Sequence, residues 1–333
     1  MTVKRSSVPL LWAVALAAGI RAGDRPYELT GRILPPATGA VSLFGATTPF
    51  SAATLADAQG RFHFRALAPG QYTVAVFISG QGESRKTVDV GPGTAGLNRR
   101  VAIVVDVEQS GLASADMLRS ESTVSTRALS VPEAARREYR EAQKRLAHRD
   151  VPSAVAHLDR AVELAPQFSA AWNTLGTLAY QSRQYGRAEQ CFRKALDRDT
   201  GSFEPLVNLG GALLTEGKIN EAFSYNLLAV LTRPKDALAN SQLGLNYFAE
   251  GNLDLAQRYL EIAERIDPGH FSYPQLTLAE IHLRRHQPAA AAREFRDFLQ
   301  RHPDAPQAAR VQSLLTKLES APPVGRALTE PRP

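Results

Sequence analysis

The chain has 333 residues, enough for two or three domains of ordinary size, and its 44% hydrophobic and 22% charged content excludes disordered, collagen-like and disulfide-scaffold classes. Its formal charge of +6 is concentrated at the start, where residues 1–22 carry Lys4, Arg5 and Arg21 and no acid, leaving +3 on the remainder. Basic and acidic residues then alternate without a run of five like charges, so nucleic acid is not an expected partner.

Residues 1–22 have the parts of a secretory signal: Lys4 and Arg5, an uncharged apolar centre from Val8 to Ile20, and a small-residue exit at Ala22. Ala17 and Gly19 are rival exits. The thirteen residues of the apolar centre fall short of the ~20 that a bilayer requires. A periplasmic or secreted location in a bacterial envelope is therefore expected. Cys191, the only cysteine, permits no intrachain disulfide and is expected to serve as a small buried hydrophobe.

Residues 23–107 read as a β-sandwich. Short β-branched or aromatic runs, Tyr27–Ile33, Ala40–Phe44, Arg61–Arg65, Tyr72–Ile78, Lys86–Val90 and Val101–Val107, are separated by Gly, Pro and Asp. Phe62 and Phe64 alternate with polar neighbours, which puts one face in a core and the other in water. The string Asp57-x-x-Gly60-x-Phe62-x-Phe64-x-x-Leu67-x-Pro69-Gly70-x-Tyr72-x-Val74 resembles carboxypeptidase-regulatory-like domains, which are transthyretin-type sandwiches. The resemblance implies an accessory module, either a spacer or a weak ligand-binding unit, and no peptidase activity. Residues 108–129, rich in Ser, Thr and small side chains, read as a linker. Ser130-x-x-Glu133 then predicts a capping box that opens a helical domain.

Periodicity governs residues 130–304. Ala142, Gly176, Gly210, Gly244 and Ala279 are spaced 34, 34, 34 and 35 apart. Ala154, Ala188, Ala222, Ala256 and Ala291 follow each by twelve, and Pro166, Pro234, Pro268 and Pro303 form a third column with Thr200 in the missing place. The pattern, best seen in Trp172-x-x-Leu175-Gly176 with Ala188-x-x-x-Phe192, resembles the tetratricopeptide repeat, a helix–turn–helix unit of about 34 residues. Five such repeats predict an all-α solenoid whose small residues mark close helix crossings. Proline is expected in the first turn of each following helix. Residues 305–319 follow as a capping helix, with Val311, Leu314, Leu315 and Leu318 on one stripe, and residues 320–333 as a Pro-rich tail. The fold class is thus multidomain, an all-β sandwich followed by an all-α solenoid.

The resemblance implies a concave, peptide-binding face on the first helix of each repeat. The candidate groove comprises Leu146, Asn173, Thr177, Tyr180, Val207 and Leu214, continuing through Ser241, Leu245, Phe248, Leu276 and Leu283. Its apolar row, Leu146, Tyr180, Leu214, Phe248 and Leu283, could equally pack against neighbouring helices, and both readings stand at this point. His282 and His286 have i, i+4 spacing for a metal on a helix, but Leu283 replaces the zincin Glu and Arg284 and Arg285 would repel a cation. Gly91-Pro-Gly-Thr-Ala-Gly96 matches a dinucleotide string, yet a strand follows where a helix is needed. No catalytic, metal or cofactor site is expected. The expected function is an exported scaffold that binds a protein or peptide segment. The alternative is a carbohydrate- or surface-binding sandwich mounted on the repeats.

Overall fold

The computed structural model describes residues 26–79, 82–107, 130–198 and 202–320. The signal and linker expectations, and all of the tail but Ser320, lie outside these residues.

Seven strands form the N-terminal unit: β1 Tyr27–Leu34, β2 Gly39–Gly45, β3 Ser51–Ala56, β4 Arg61–Leu67, β5 Gly70–Ile78, β6 Gly82–Val90 and β7 Arg100–Asp106. They make a three-stranded sheet, β4-β1-β7, and a four-stranded sheet, β3-β2-β5-β6. The β1–β7 pairing is parallel and the others are antiparallel. Side chains alternate in and out of a strand, so Leu29, Ile33, Val41, Leu43, Phe62, Phe64, Val74 and Val76 meet in one core between the sheets. Strand β3, Ser-Ala-Ala-Thr-Leu-Ala, has too few β-branched or aromatic residues to announce itself. It is an edge strand, held by its ladder with β2.

Eleven helices follow among the described residues: α1 Glu133–Ala147, α2 Val151–Leu164, α3 Ser169–Gln181, α4 Tyr185–Arg198, α5 Phe203–Thr215, α6 Ile219–Thr232, α7 Ala237–Ala249, α8 Leu253–Ile266, α9 Pro274–Arg284, α10 Pro288–Arg301 and α11 Ala308–Ser320. Successive pairs stack as a solenoid with a shared core. The small-residue column lies where paired helices cross. A Cβ built on Gly176 would stand 2.5 Å from the Phe192 ring, one on Gly210 1.9 Å from Asn226 Oδ1, and one on Gly244 2.8 Å from Leu260 Cγ. Ala142 and Ala279, at the ends of the column, are fully buried.

A further column, in the turn between the two helices of each repeat, was not read from the sequence. Arg149, Arg183, Gly217, Gly251 and His286 all have positive φ, between 56° and 82°. Their spacing repeats that of the small residues. Each left-handed residue ends its helix in a Schellman turn; the Gly217 amide bonds the Leu214 carbonyl and the Lys218 amide the Leu213 carbonyl.

Four expectations are corrected. Pro132, not Ser130, caps α1, no side chain bonds there, and Glu133 pairs instead with Arg140. Pro166, Pro234 and Pro268 lie in the inter-repeat turns ahead of the next helix, and not in its first turn. Their carbonyls accept from Trp172, Asn240 and Gln275 of that helix, tying turn to helix. His286 sits in the α9–α10 turn, off the helix that carries His282. Leu314 is more than a third exposed, so Val311 and Leu315, with Leu318 partly buried, cover the last repeat. Cys191 is buried in the core, and burial pushes its thiol up.

Candidate functional site

The sandwich does not stand apart from the repeats: the outer face of its four-stranded sheet lies against the solenoid's first-helix side. Alternation fixes which residues face outward. In β2 the core takes Val41 and Leu43, leaving Ala40, Ser42 and Phe44 outside; in β5 it takes Val74 and Val76, leaving Thr73, Ala75 and Phe77. Across the ladder, β6 presents Glu83, Arg85, Thr87 and Asp89 on the same face.

This face is anchored to both ends of the solenoid, through residues at one end of its strands, where Gly45 pairs with Tyr72 and Gln71 with Asp89. At one end, Arg149 donates to the Tyr72 hydroxyl at 2.8 Å and lies over the Phe50 ring, and Gln181 donates to the Gly45 carbonyl at 3.0 Å. Tyr72 in turn donates to the Ala68 carbonyl, and burial pushes its hydroxyl up against the opposing pull of Arg149. At the other end, the Tyr273 hydroxyl donates to Gln71 at 2.9 Å, Gln71 donates to Asp89 at 2.9 Å, and the Asp89 carboxylate meets His302 Nδ1 at 2.9 Å. All four side chains are buried. The Thr87 amide donates to Asp267 at 2.9 Å, and burial pushes that carboxyl up to about 6. The Gly93 amide donates to Asp304 at 2.9 Å. The sequence suggested no partner for Asp304, which lies beyond the last helix pair.

Midway, Glu204 at the start of α5 accepts from Arg85 at 2.8 Å and from Arg233 at 3.1 Å. Burial pushes the Glu204 carboxyl up, but the two guanidinium groups outweigh it and hold the group below its ordinary range.

Between these anchors a cavity of about 930 Å³ remains. One wall is the sheet: Ala40, Ser42, Phe44, Thr73, Ala75 and Phe77. The other is α1 and α3, through Tyr139, Gln143, Leu146, Asn173, Thr177 and Gln181, with the starts of α5 and α7 at its edge. The volume suits a small molecule or a short peptide, and the lining offers aromatic faces beside side-chain amides.

Of the expected groove residues, Leu146, Asn173 and Thr177 line this cavity. The remaining eight are placed elsewhere. Val207 is 2% exposed and belongs to the packed core. Ser241 is 0% exposed, with its hydroxyl 2.7 Å from that of Ser272, which is itself 2.7 Å from His270 Nδ1. Burial, with nearby His302, pushes the His270 imidazole down to about 3, so it is neutral at physiological pH. Tyr180 packs edge-on against Tyr185 and meets the Thr215 hydroxyl at 2.9 Å, and Leu214 rests against the same core. Phe248 lies under Arg284, whose guanidinium carbon is 4.4 Å from the ring centroid. Leu245 is half-buried, Leu276 packs against the core of the last repeat, to which it belongs, and Leu283 is 39% exposed.

Strand alternation and repeat periodicity each describe one domain by itself, so neither reveals the sandwich wall. Its signal was present: Phe44 and Phe77, 42% and 48% exposed, fall on the parity that alternation assigns to water.

Known proteins place the repeats. The chain is 30% identical over 139 residues to cellulose synthase 1 operon protein C of Komagataeibacter xylinus, covering 38% of this chain and 10% of that one. It is 34% identical over 98 residues to anaphase-promoting complex subunit 6 of Arabidopsis thaliana, covering 28% and 18%. It thus spans less than a fifth of the length of either. Among solved structures, PilW, described as a widely conserved type IV pilus biogenesis factor, superposes with a TM-score of 0.50 at 20% identity. That match covers 56% of this chain and 87% of PilW and concerns the fold alone. The tetratricopeptide repeat family matches residues 139–203, 173–270 and 276–315, together just over half of the sequence, and the chain belongs to that family.

Proposed function

We propose that this chain is an exported, non-catalytic interaction scaffold that holds a segment of a protein partner in the cleft between its sandwich and its first repeats. Repeats of this family generally mediate protein–protein interaction. The observation that carries the reading is the 930 Å³ cavity itself, walled by two domains that are fixed to each other on both sides of it. Its amides suit a peptide backbone and its aromatics suit apolar side chains. Export rests on the charged start and apolar centre of residues 1–22. The likeness of the sandwich to carboxypeptidase-regulatory-like domains supports an accessory role.

The test is capture from an envelope extract by the full chain, compared with Asn173→Arg and Thr177→Arg. Both substitutions fill the cleft from α3 without touching the anchors. A specific partner retained by the parent and lost by both variants is the expected result; undiminished capture by both overturns the cleft as the site.

A second reading has one observation in its favour. On the outer face of the three-stranded sheet, the exposed Arg32 stands across from Arg61, which Asp57 already holds at 2.8 Å, so Arg32 is the cation of that pair left for an acidic surface. If that face is the functional one, Arg32→Glu abolishes capture and the cleft variants do not.

A further inference from the structure

The sheet wall of the cleft has a shape that says what kind of segment it takes. Four small side chains, Ala40, Ser42, Thr73 and Ala75, make its floor, and two exposed phenylalanines close its ends. The ladder pairs Ala40 with Phe77, and Phe44 lies four residues further along β2. At ~3.4 Å per residue and ~4.8 Å between strands, the two rings are rooted about 14 Å apart, the reach of roughly four extended residues. A helix, about 10–12 Å across with its side chains, is a poor match for a floor one small residue deep. An extended segment fits it.

Electrostatics narrows the occupant further. Each carboxylate on the lining is engaged: Glu83 with Arg85, Glu204 with Arg85 and Arg233, Asp236 as the cap that accepts from the Ala239 amide, and Asp267 from the Thr87 amide. Lys235 also lines the cavity, and no carboxylate lies within ion-pair reach of it among the described residues. Arg136, the fourth lining cation, has contacts of its own, and Asp267 Oδ1 is buried without a partner. Four carboxylates thus face four cations, and Lys235 is a local excess of positive charge, not a net one.

Resting on the cleft reading above, we propose that the sheet between Phe44 and Phe77 is a specificity trough for an extended acidic–apolar segment of a partner protein. Two large apolar side chains of the segment stack on the two phenylalanines. Small side chains between them lie over Ser42 and Ala75, and an acidic group pairs with Lys235. The sandwich is then half of the recognition site, and specificity comes from it as much as from the repeats.

A random dodecapeptide display library selected on the full chain tests this. The expected peptides carry two large apolar residues separated by about three small ones, with at least one Asp or Glu nearby. Ser42→Arg, which fills the floor, and Phe77→Ala, which removes one end at an exposed position, each weaken the selected peptides tenfold or more. Lys235→Glu weakens them and removes their salt dependence. Unchanged circular dichroism checks that the variants are folded, and Phe77→Ala serves if Ser42→Arg is not. Peptides that respond to Asn173→Arg but not to Ser42→Arg or Phe77→Ala overturn the trough and leave the cleft standing. Peptides indifferent to all these variants, or no enrichment at all, overturn the cleft and the trough together.

Discussion

Glycine serves two different purposes in this chain, and single substitutions separate them. Gly217 has φ of 76° and open space around a would-be Cβ, so only backbone conformation requires it. Gly217→Ala should cost about 1 kcal/mol, the price of placing an L side chain in the left-handed region. Gly210 has ordinary helical φ, but a Cβ would press on Asn226, which is fully buried and donates to Asn246 at 2.5 Å. It cannot swing aside freely, so Gly210→Leu should cost about 1–3 kcal/mol or more. Denaturant midpoints of the two variants check the order, and equal losses would contradict the crossing assigned to Gly210. The Gly210 column was legible in the sequence, because small residues at a fixed period have few other causes. The left-handed column was not. Its members are Arg, Arg, Gly, Gly and His, and nothing in side-chain chemistry joins them.

At the scale of elements, α8 and α10 crowd four acids together. Burial first, then Glu294 and Asp297, pushes Glu264 up to about 7; burial first, then Asp297 and Glu261, does the same to Glu294. Both folded values lie above the ~4.3 of an unfolded Glu. The folded state therefore keeps protons that the unfolded state releases, and stability falls as pH rises from about 4.3 to about 7. Buried Asp267 acts in the same direction up to about 6. Two groups act oppositely. His270, held neutral down to about 3, costs stability as pH falls below the ~6.5 of an unfolded His. Glu189, held at about 2 by Lys218 and Arg193 despite burial, loses its contribution as pH falls below about 4.3. Above about pH 5 the two glutamates and Asp267 outweigh His270. The chain should thus unfold at a lower denaturant concentration at pH 7.5 than at pH 5, and Glu294→Gln should narrow that gap by raising the pH 7.5 midpoint. A midpoint that climbs between pH 5 and 7.5, unaltered by Glu294→Gln, would refute the assignment. The amphipathic stripes that place these helices were plain in the sequence. The clustering of their acids depends on which turns of non-adjacent segments meet.

For the whole molecule, the consequential contact is the sandwich against the solenoid. Its buried chain, Tyr273 to Gln71 to Asp89 to His302, is polar throughout, and removing one member strands the others away from water. Asp89→Ala leaves His302 and Gln71 without their shared acceptor, a loss of about 1.5–3 kcal/mol for bonds to a charged group. The expected outcome is that calorimetry of the variant resolves separate sandwich and solenoid transitions, and that small-angle scattering shows a longer particle. A single transition at an unshifted temperature would mean that the contact contributes nothing to coupling the two domains.

The sequence by itself determined an all-β unit followed by an all-α solenoid, the register of five repeats and the inward face of Phe62 and Phe64, because these follow from local periodicity and short-range sterics. Leu146, Asn173 and Thr177, which the resemblance to the repeat family implied for a groove, line the cavity, each from a fixed place in a repeating unit. The tertiary structure alone decided that a second domain forms the opposite wall. It also decided that Val207 and Ser241 face packed interior. Docking joins residues up to 213 positions apart, such as Asp89 and His302, through single hydrogen bonds that leave no periodic trace along the chain. Periodicity records how a segment packs on its neighbours in sequence; a contact made once, between distant segments, is written only in three dimensions.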